Sequence, residues 1–343
     1  MEVTFDGETV TGGRQAREQF YDARGYGQPR DDGVALAPVE AAHLLFRGDI
    51  AAVVDGQPGG TGTLDFGSLL AEAVSEVDFF VYKDLRDRGF YLSPADDGPV
   101  DFTVYPRGSG PWDDDVAYQV RAISERADVA ADTLFALADG DTRGVLAVVD
   151  EESEVTYLGC TRETITGSTS HDVPPVDGTL LSDRVLVADP PAALHEQAFY
   201  GQRLGQGSGP VQLSLVEAAY LAGRDLLVAE GGQGALVDRG RAVEGERFDR
   251  RLRAYSALRT AGVVPKTGYK FGADFRTYAD VESVDDLGHS DLLVRVLARD
   301  HAFQPRDLAL DVRLAHGVRK RMVFALTDTD EGIVWLGVSR VTP

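Results

Sequence analysis

The sequence LAPVEAAHL, residues Leu36–Leu44, returns in the second half of the chain as LSLVEAAYL, residues Leu213–Leu221. Other segments recur in the same order and at a nearly constant offset. They are FFVYKDLRDRGF (from Phe79) with RLRAYSALRTAG (from Arg251), VDFTVYPRG (from Val100) with GADFRTYAD (from Gly272), and GVLAVVDEESEVTYLGCTRE (from Gly144) with MVFALTDTDEGIVWLGVSRV (from Met322). Because chance does not preserve order and spacing over several segments, we interpret the chain as a tandem duplication.

Two segments of the second copy have helical periodicity. In SLVEAAYLAGR, Ser214 is a suitable N-cap, and Glu217 three positions later completes a capping box. From Phe248 to Ala261 large apolar residues recur on one face, and Gly262 supplies a stop at the C-terminal end. We therefore predict one helix in each segment.

The end of the second copy alternates strand and helix signals. KFGADFRTYAD is strand-like, DLLVRVLA is a continuous apolar run typical of a buried strand, and MVFAL and GIVWLGVS predict two more strands. Pro305 opens a helix, PRDLALDVRLAHGV, whose predicted inward residues are Leu308, Val312, Ala315 and either Leu314 or Val318. The predicted fold class is α/β, with mixed sheets in an α+β arrangement.

Each copy divides again, into an N-terminal αβ subdomain and a C-terminal subdomain with a mixed sheet. Between the copies lies a Ser/Thr/Pro/Gly-rich stretch without apolar periodicity, which predicts a linker. We expect the first copy at 1–165, the linker at 166–178, the N-terminal subdomain of the second copy at 179–247, and its C-terminal subdomain at 248–343.

The composition is strongly acidic. There are 56 Asp and Glu against 34 Lys and Arg, the net charge is -22, and lysine occurs only at 83, 266, 270 and 320. Such a surface predicts adaptation to a high-salt cytoplasm, as in a halophilic organism. The single Cys160 excludes an internal disulfide framework, and neither a signal peptide nor a long apolar span is evident. We expect a cytoplasmic protein with no membrane partner.

Glycine-rich and acidic clusters offer few ligand sites. GQPGGTGT and AEGGQGA lack the spacing of phosphate-binding loops, so we predict hairpin turns there. DGD, DDD and DTDEG do not continue into a calcium-binding loop, and we expect solvated turns.

A polar set in the second copy is missing from the first. Tyr278 closes a predicted strand, His289 opens the next, and Lys320 follows a predicted helix, so all three lie at element ends. Taken singly, each has a plainer interpretation as a packing tyrosine, a solvated histidine or a lysine at a helix end. Alignment places Tyr105 opposite Tyr278, but Asp115 and Thr142 stand in the places of His289 and Lys320. This difference favours one catalytic copy and one scaffolding copy.

The segments KTGYKFGADFRTYAD, GHSDLLVRV and VRLAHGVRKRMVFAL resemble the hallmark segments of archaeal tRNA-splicing (tRNA-intron) endonucleases, over about Val264 to Val341. The duplicated layout resembles the homodimeric class, in which one copy per chain is catalytic and the other degenerate. The resemblance implies that 248–343 is the catalytic nuclease subdomain and that 1–165 is the degenerate, structural repeat. It also implies excision of introns from precursor tRNA at bulge-helix-bulge sites.

The resemblance implies cleavage without metal or cofactor, leaving a 2′,3′-cyclic phosphate and a 5′-hydroxyl. Carried over residue by residue, Tyr278 is the general base, His289 the general acid and Lys320 the stabiliser of charge on the phosphorane. Histidine suits an acid near neutrality, whereas a phenol with a reference pKa of about 10 is a weak base unless a cation favours its ionised form.

Arg313 and Trp335 match family positions that clamp a flipped base between planar groups, so the resemblance implies RNA binding there. The alternative is that Trp335 belongs to the core and Arg313 is a solvated helix residue. The family also docks an acidic loop between its last strands onto a partner domain. Asp150, Glu151 and Glu152 form such a loop in the first copy, and Thr327–Glu331 are its counterpart. This implies a homodimer with precursor tRNA as substrate.

Two alternatives stay open. A catalytically inactive RNA-binding or assembly subunit would be expected to lack Tyr278, His289 or Lys320, all of which are present. A nuclease of related fold that acts on DNA would not need the 2′-hydroxyl. The net negative charge does not exclude RNA, because binding responds to the local field and RLAHGVRKR is the densest basic run.

Overall fold

The computed structural model describes residues 2–60, 62–95, 98–205, 207–328 and 332–343. The chain forms two compact units. Unit 1 contains Met1–Thr161, Ala302–Ala309 and Arg340–Pro343, and unit 2 contains Arg162–His301 and Leu310–Ser339. No helix within the described ranges is both long enough and apolar enough to cross a membrane.

The first copy contains strands and helices in the order expected for a mixed α/β fold. Its strands are β1 (Val3–Phe5), β2 (Val10–Gly12), β3 (Gln28–Arg30), β4 (Gly33–Leu36), β5 (Val53–Asp55), β6 (Thr63–Leu64), β7 (Tyr91–Pro94), β8 (Phe102–Tyr105), β9 (Tyr118–Ser124), β10 (Val129–Ala130), β11 (Gly144–Val149) and β12 (Val155–Arg162). Its α-helices are α1 (Arg14–Ala16), α2 (Pro38–Phe46), α3 (Phe66–Ala73), α4 (Glu76–Asp87) and α5 (Ala131–Asp139), with a π-helical segment at Arg17–Asp22.

The second copy has a similar order of elements. Its strands are β13 (Val176–Asp177), β14 (Thr179–Leu180), β15 (Arg184–Val187), β16 (Gln202–Arg203), β17 (Val211–Ser214), β18 (Leu227–Val228), β19 (Val264–Thr267), β20 (Phe275–Tyr278), β21 (Leu292–Ala298), β22 (Ala302–Phe303), β23 (Arg321–Thr327) and β24 (Val334–Val341). Its α-helices are α6 (Leu215–Ala222), α7 (Gly232–Glu244), α8 (Arg247–Thr260) and α9 (Pro305–Gly317). A π-helical segment lies at Ala193–Gln197 and short 3₁₀ turns at Tyr269–Phe271 and Val284–Asp286.

Both copies end in the same sheet topology. In the first copy the strands run in the order β7-β8-β9-β11-β12, and in the second in the order β19-β20-β21-β23-β24. Within each set one pair is parallel, β9 with β11 and β21 with β23, and the other pairs that follow are antiparallel. A helix, α5 or α9, lies in sequence between the two parallel strands. The mixed sheets and the tandem duplication are therefore confirmed.

The first part of each copy holds a smaller, largely antiparallel sheet. Its strand order is β3-β4-β2-β1-β5-β6 in the first copy and β14-β15-β17-β16 in the second. Helix α6 follows β17 directly, and its start is fixed by the predicted capping box. The Ser214 hydroxyl accepts from the Glu217 backbone at 3.2 Å, and the Glu217 carboxylate accepts from the Ser214 backbone at 3.0 Å. Local sequence alone is sufficient to start this helix.

Helix α8 and strand β21 form where the apolar periodicity predicts them. Tyr255 and Leu258 of α8 are buried in the same apolar core as Val294 of β21. The helix ends before Gly262, whose φ of +76° is a conformation that only glycine adopts without strain.

Two local expectations are wrong. Leu314 and Val318 were expected to include one inward residue of α9, but they are 43% and 40% exposed, because the narrow buried stripe is already filled by Leu308, Val312 and Ala315. AEGGQGA was expected to be a hairpin turn, but Gly231 caps the start of α7. Its glycines make a turn into a helix because the apolar residues that follow continue with helical spacing. GQPGGTGT does connect the antiparallel strands β5 and β6.

Candidate active site

The sheet topology brings the ends of three strands to one edge. Strand β20 ends at Tyr278 and runs antiparallel to β21, with Thr277 opposite Leu292. Strand β21 runs parallel to β23, with Leu292 opposite Arg321. The Asp291 backbone amide donates to Thr277 at 3.1 Å, and the Arg321 amide donates to the Asp291 carbonyl at 3.0 Å. The end of β20 and the starts of β21 and β23 therefore form one continuous edge.

Lys320 is positioned by the way α9 ends. Its backbone amide donates to the Ala315 carbonyl at 2.9 Å, while Arg319 takes a left-handed φ of +57°. This is the geometry of a Schellman stop, which turns the chain sharply out of the helix. The half-buried Lys320 ammonium then donates to the carbonyl oxygen of Ser290, the residue after His289. Lys320 and the His289 loop are thus in direct contact.

Tyr278 is held firmly but its hydroxyl is not engaged. The side chain is 7% exposed and packs with Phe199, Val264 and Val281. The Phe199 and Tyr278 rings meet edge to face, with centroids 5.8 Å apart. Among the residues that the structure describes, no group hydrogen-bonds the Tyr278 hydroxyl. The ring is therefore fixed while the oxygen remains available to a ligand.

His289 lies in the loop before β21 and is exposed to solvent, whereas the next residue, Ser290, is buried. No described group hydrogen-bonds the imidazole ring, so its orientation is not fixed within the chain. The sequence prediction that Tyr278, His289 and Lys320 lie at element ends agrees with this arrangement. Their chemical roles stay predictions.

A buried ion pair supports this site, and sequence reasoning missed it. The Lys266 ammonium donates to the carbonyls of Phe199 and Gly201 at 3.2 and 2.7 Å and lies 3.2 Å from the Glu217 carboxylate. Burial alone would raise the pKa of Glu217, but Lys266 and hydrogen bonds from Ser214 and Gly201 lower it to about 2. Because Lys266 binds the backbone of Phe199, the pair fixes the ring against which Tyr278 packs.

The first copy has the same backbone with different side chains. Tyr105 ends β8 as Tyr278 ends β20, and Asp115 and Thr142 precede β9 and β11 as His289 and Lys320 precede β21 and β23. The Tyr105 hydroxyl lies 3.0 Å from the Ser93 hydroxyl, so it is already hydrogen-bonded. The first copy therefore presents neither a histidine nor a lysine at this edge.

The predicted RNA-binding pair is not brought into contact by the described residues of the chain. Arg313 is exposed on α9. Trp335 lies in β24 opposite Ala325 and is half-buried, packing against the core of unit 2. The indole is thus partly a core residue, as the alternative interpretation expected, while Arg313 is available to a ligand.

The acidic loop Asp150–Glu152 connects β11 and β12 in a tight turn. The Asp150 carboxylate accepts from the backbone amides of Glu152 and Glu154 at 2.9 Å each, so it holds the turn. Glu151 pairs with the exposed Arg126 at 2.7 Å, and Glu152 is exposed. Of these three residues, Glu151 and Glu152 are therefore the exposed ones whose carboxylates do not hold the turn. Part of the second acidic loop, residues 329–331, lies outside the described ranges.

Comparison with known proteins matches both copies to one family. The tRNA intron endonuclease N-terminal domain matches residues 1–61 and 176–239, and its catalytic C-terminal domain matches residues 76–157 and 248–335. Proteins named tRNA-splicing endonuclease are similar over the whole chain. Those of Haloarcula marismortui and Methanosarcina acetivorans are 61% and 37% identical over 100% and 99% of both chains, and that of Haloferax volcanii is 53% identical over 96% of both. The chain therefore belongs to the tRNA intron endonuclease family, with both family domains present twice.

Proposed function

We propose that this endonuclease excises introns from precursor tRNA at bulge-helix-bulge sites, in the cytoplasm, by a metal-independent attack of the 2′-hydroxyl on the adjacent phosphate. The family and the similar tRNA-splicing endonucleases support intron excision. The single observation that carries the chemical proposal is the sheet edge at which Tyr278, His289 and Lys320 lie, because the equivalent edge of the first copy lacks the last two.

The reaction requires three acts at one phosphate. The phenolate form of Tyr278 accepts the proton of the 2′-hydroxyl, which attacks phosphorus as the bond from phosphorus to the 5′-oxygen breaks, and the imidazolium form of His289 donates a proton to the departing 5′-oxygen. The Lys320 ammonium stabilises the charge that develops on the phosphorane oxygens. The products are a 2′,3′-cyclic phosphate and a 5′-hydroxyl. The unengaged Tyr278 hydroxyl, the exposed His289 ring and the contact between Lys320 and the His289 loop support this assignment.

Substrate recognition is proposed to depend on RNA shape. Splayed bases of a bulge stack on planar side chains, and each such contact contributes roughly 1 to 3 kcal/mol. Arg313 is exposed for this purpose, and Trp335 offers the part of its indole that is not in the core. The basic run around Arg319, Lys320 and Arg321 supplies local positive charge within an acidic chain.

Cleavage of an intron-containing precursor in the presence of EDTA tests the proposal. We expect cutting at both intron boundaries with 2′,3′-cyclic phosphate and 5′-hydroxyl ends, and no cutting when the scissile nucleotide is 2′-deoxy. A 5′-phosphate product, or equal cleavage of the 2′-deoxy substrate, would contradict the proposed mechanism and favour a nuclease that also acts on DNA. Binding without cleavage would favour the inactive-subunit alternative.

We further propose that two chains form a homodimer and that Glu151 and Glu152 dock on a basic surface of the partner. Changing both residues to Gln should weaken assembly, measured as mass by light scattering, and activity should fall with it. Asp150 is left unchanged because its carboxylate holds the turn. If mass and activity are unchanged, this loop is a solvated acidic turn with no role in assembly.

A further inference from the structure

A cavity of about 400 Å³ lies in unit 2 and is lined in part by residues of β19 and β20, including Lys266 and Arg276 but not Tyr278. Arg184, Glu217, Glu244, Arg251, Lys266 and Arg276 contribute its charged lining, together with Asp183. Side chains two residues apart on a strand point to the same face, so Arg276 and Tyr278 share one face. The Arg276 guanidinium carbon is 5.7 Å from the centroid of the Tyr278 ring.

Arg276 differs from the other cations of this cavity because it has no ionic partner. Lys266 pairs with Glu217 at 3.2 Å, Arg251 with Glu244 at 2.6 Å, and Arg184 with Asp183 at 2.9 Å. No carboxylate among the described residues pairs with Arg276, and its buried Nε has no hydrogen-bond partner there. The paired charges cancel, and Arg276 leaves the cavity with one net positive charge.

A second cation lies beside Arg276. Arg276 is directly opposite Lys266 across the β19–β20 pair, and like charges in that arrangement repel. Burial lowers the pKa of Lys266, and the Arg276 charge lowers it further. The fold does not require this cation, because the equivalent residue of the first copy is Thr103, which hydrogen-bonds Gln119 at 3.2 Å. A guanidinium beside Tyr278 without an ionic partner among the described residues indicates a negatively charged ligand.

We propose that this cavity binds an RNA phosphate adjacent to the scissile phosphate and that Arg276 is the residue that contacts it. Two residues along a strand span about 7 Å, which is comparable with the spacing of neighbouring phosphates in an RNA strand. A guanidinium binds a phosphate through two parallel hydrogen bonds and so fixes its orientation. Arg276 thereby holds the neighbouring nucleotide while the 2′-hydroxyl faces Tyr278. This inference rests on the proposed function of Tyr278.

Binding of an uncleavable 2′-deoxy precursor to Arg276→Gln tests the inference. We expect affinity to fall by between about tenfold and a hundredfold, as for loss of charged hydrogen bonds. The slope of log affinity against log salt should decrease by about 0.7 to 1, the effect of one phosphate contact. Arg276→Lys should recover part of the affinity, because it keeps the charge but not the paired geometry. The matched control is Arg184→Gln, which lines the same cavity but is already paired, and it should stay within about twofold.

A methylphosphonate at either phosphate beside the scissile one localises the contact. At one of the two positions the neutral group should weaken wild-type binding and have no further effect on Arg276→Gln. Additive losses at both positions, or wild-type affinity for Arg276→Gln, would overturn the inference. The melting temperature of Arg276→Gln should be unchanged or higher, which separates loss of contact from loss of fold.

The two failures are distinguishable. If the wild-type protein leaves cyclic phosphate ends while Arg276→Gln binds normally, the cavity has no role and the proposed chemistry stands. If the wild-type protein leaves 5′-phosphate ends, the proposed chemistry fails whatever Arg276 does.

Discussion

The two copies bury the same glutamate in the same place and neutralise it differently. In the second copy Glu217 accepts from the Gly201 and Ser214 backbone amides and pairs with Lys266. In the first copy Glu40 accepts from the Gly27 and Ala37 amides at 2.7 and 2.9 Å, but Ser93 stands where Lys266 would be.

The electrostatic outcomes of the two arrangements are opposite. Burial raises the pKa of Glu40 to about 7, although the backbone hydrogen bonds oppose it. With Lys266 present, the pKa of Glu217 falls to about 2. The same backbone thus holds a protonatable carboxyl in one copy and a permanent ion pair in the other.

The same exchange changes the tyrosine at the sheet edge. In the first copy Ser93 hydrogen-bonds the Tyr105 hydroxyl. In the second copy the Lys266 ammonium donates to the Glu217 carboxylate and to the Phe199 carbonyl. The Tyr278 hydroxyl consequently lacks an internal partner among the described residues. Lysine at this position in the second copy, in place of serine in the first, therefore both pairs with the buried carboxylate and leaves the tyrosine hydroxyl without the hydrogen bond that Ser93 makes to Tyr105. The lesson is that duplication preserved the scaffold and redistributed its polar contacts.

The largest expected effect comes from breaking the buried pair. At pH 8, above the pKa of about 7 that burial gives the lysine-free Glu40, Lys266→Ala leaves Glu217 charged and buried, which costs about 3 to 5 kcal/mol in the free energy of unfolding. Ser93→Ala, the matched change in the first copy, removes one hydrogen bond and should cost about 1 kcal/mol. Chemical denaturation at constant salt measures both. Equal losses would contradict the difference between the copies.

The next effect is kinetic. Lys320→Ala should lower the single-turnover cleavage rate by roughly 10² to 10³, as for removal of one charge stabiliser, while RNA affinity stays nearly unchanged. Thr142→Ala in the first copy should leave the rate unaltered. A parallel loss of affinity and rate in Lys320→Ala would make this lysine a phosphate anchor instead.

A smaller effect concerns the pH dependence of stability. Because folding raises the pKa of Glu40, its contribution is fully present below the unfolded pKa of 4.5 and is lost as pH rises through about 7. Between pH 5 and 8 this loss lowers the free energy of unfolding of the wild-type protein by on the order of 2 kcal/mol. Glu40→Gln should remove that loss and leave the smaller contribution of Asp78, whose pKa burial raises to about 6.

Glu217→Gln is the control for this slope, the change in the free energy of unfolding with pH. Folding lowers the pKa of Glu217, so its contribution is present above 4.5 and is lost only as pH falls through about 2. The slope between pH 5 and 8 should therefore persist in Glu217→Gln. Denaturation midpoints measured across that range test this expectation. An unaltered slope in Glu40→Gln would refute the assignment of the stability loss to Glu40.

Local features of the fold could be predicted from the sequence. The capping box of Ser214 and Glu217 and the stop at Gly262 depend on residues a few positions apart, and both are present. The duplication and the mixed sheet followed from repeated segments and apolar periodicity. The edge that holds Tyr278, His289 and Lys320 could be inferred because strand ends are where side chains converge.

Contacts between distant segments could not be predicted in the same way. Lys266 reaches Glu217 and Phe199 only because β19 packs beside the start of α6, and periodicity carries no information about that approach. The chain contains only four lysines, and this rarity is the one sequence signal that could have drawn attention to Lys266. Recognising Arg276 as a candidate required knowing that no carboxylate among the described residues pairs with it.

The central claim is that the two aligned tyrosines differ in function because they differ in their surroundings. The most direct test compares Tyr278→Phe with Tyr105→Phe in single-turnover cleavage of a minimal bulged RNA at saturating enzyme. Each change removes one hydroxyl and keeps the ring. Loss of a general base costs 10² to 10⁴ in rate when it is fully rate-determining, so we expect Tyr278→Phe to slow cleavage at least about tenfold. Tyr105→Phe should remain within about twofold of wild type. Equal slowing by both changes would contradict the division into a catalytic and a scaffolding copy.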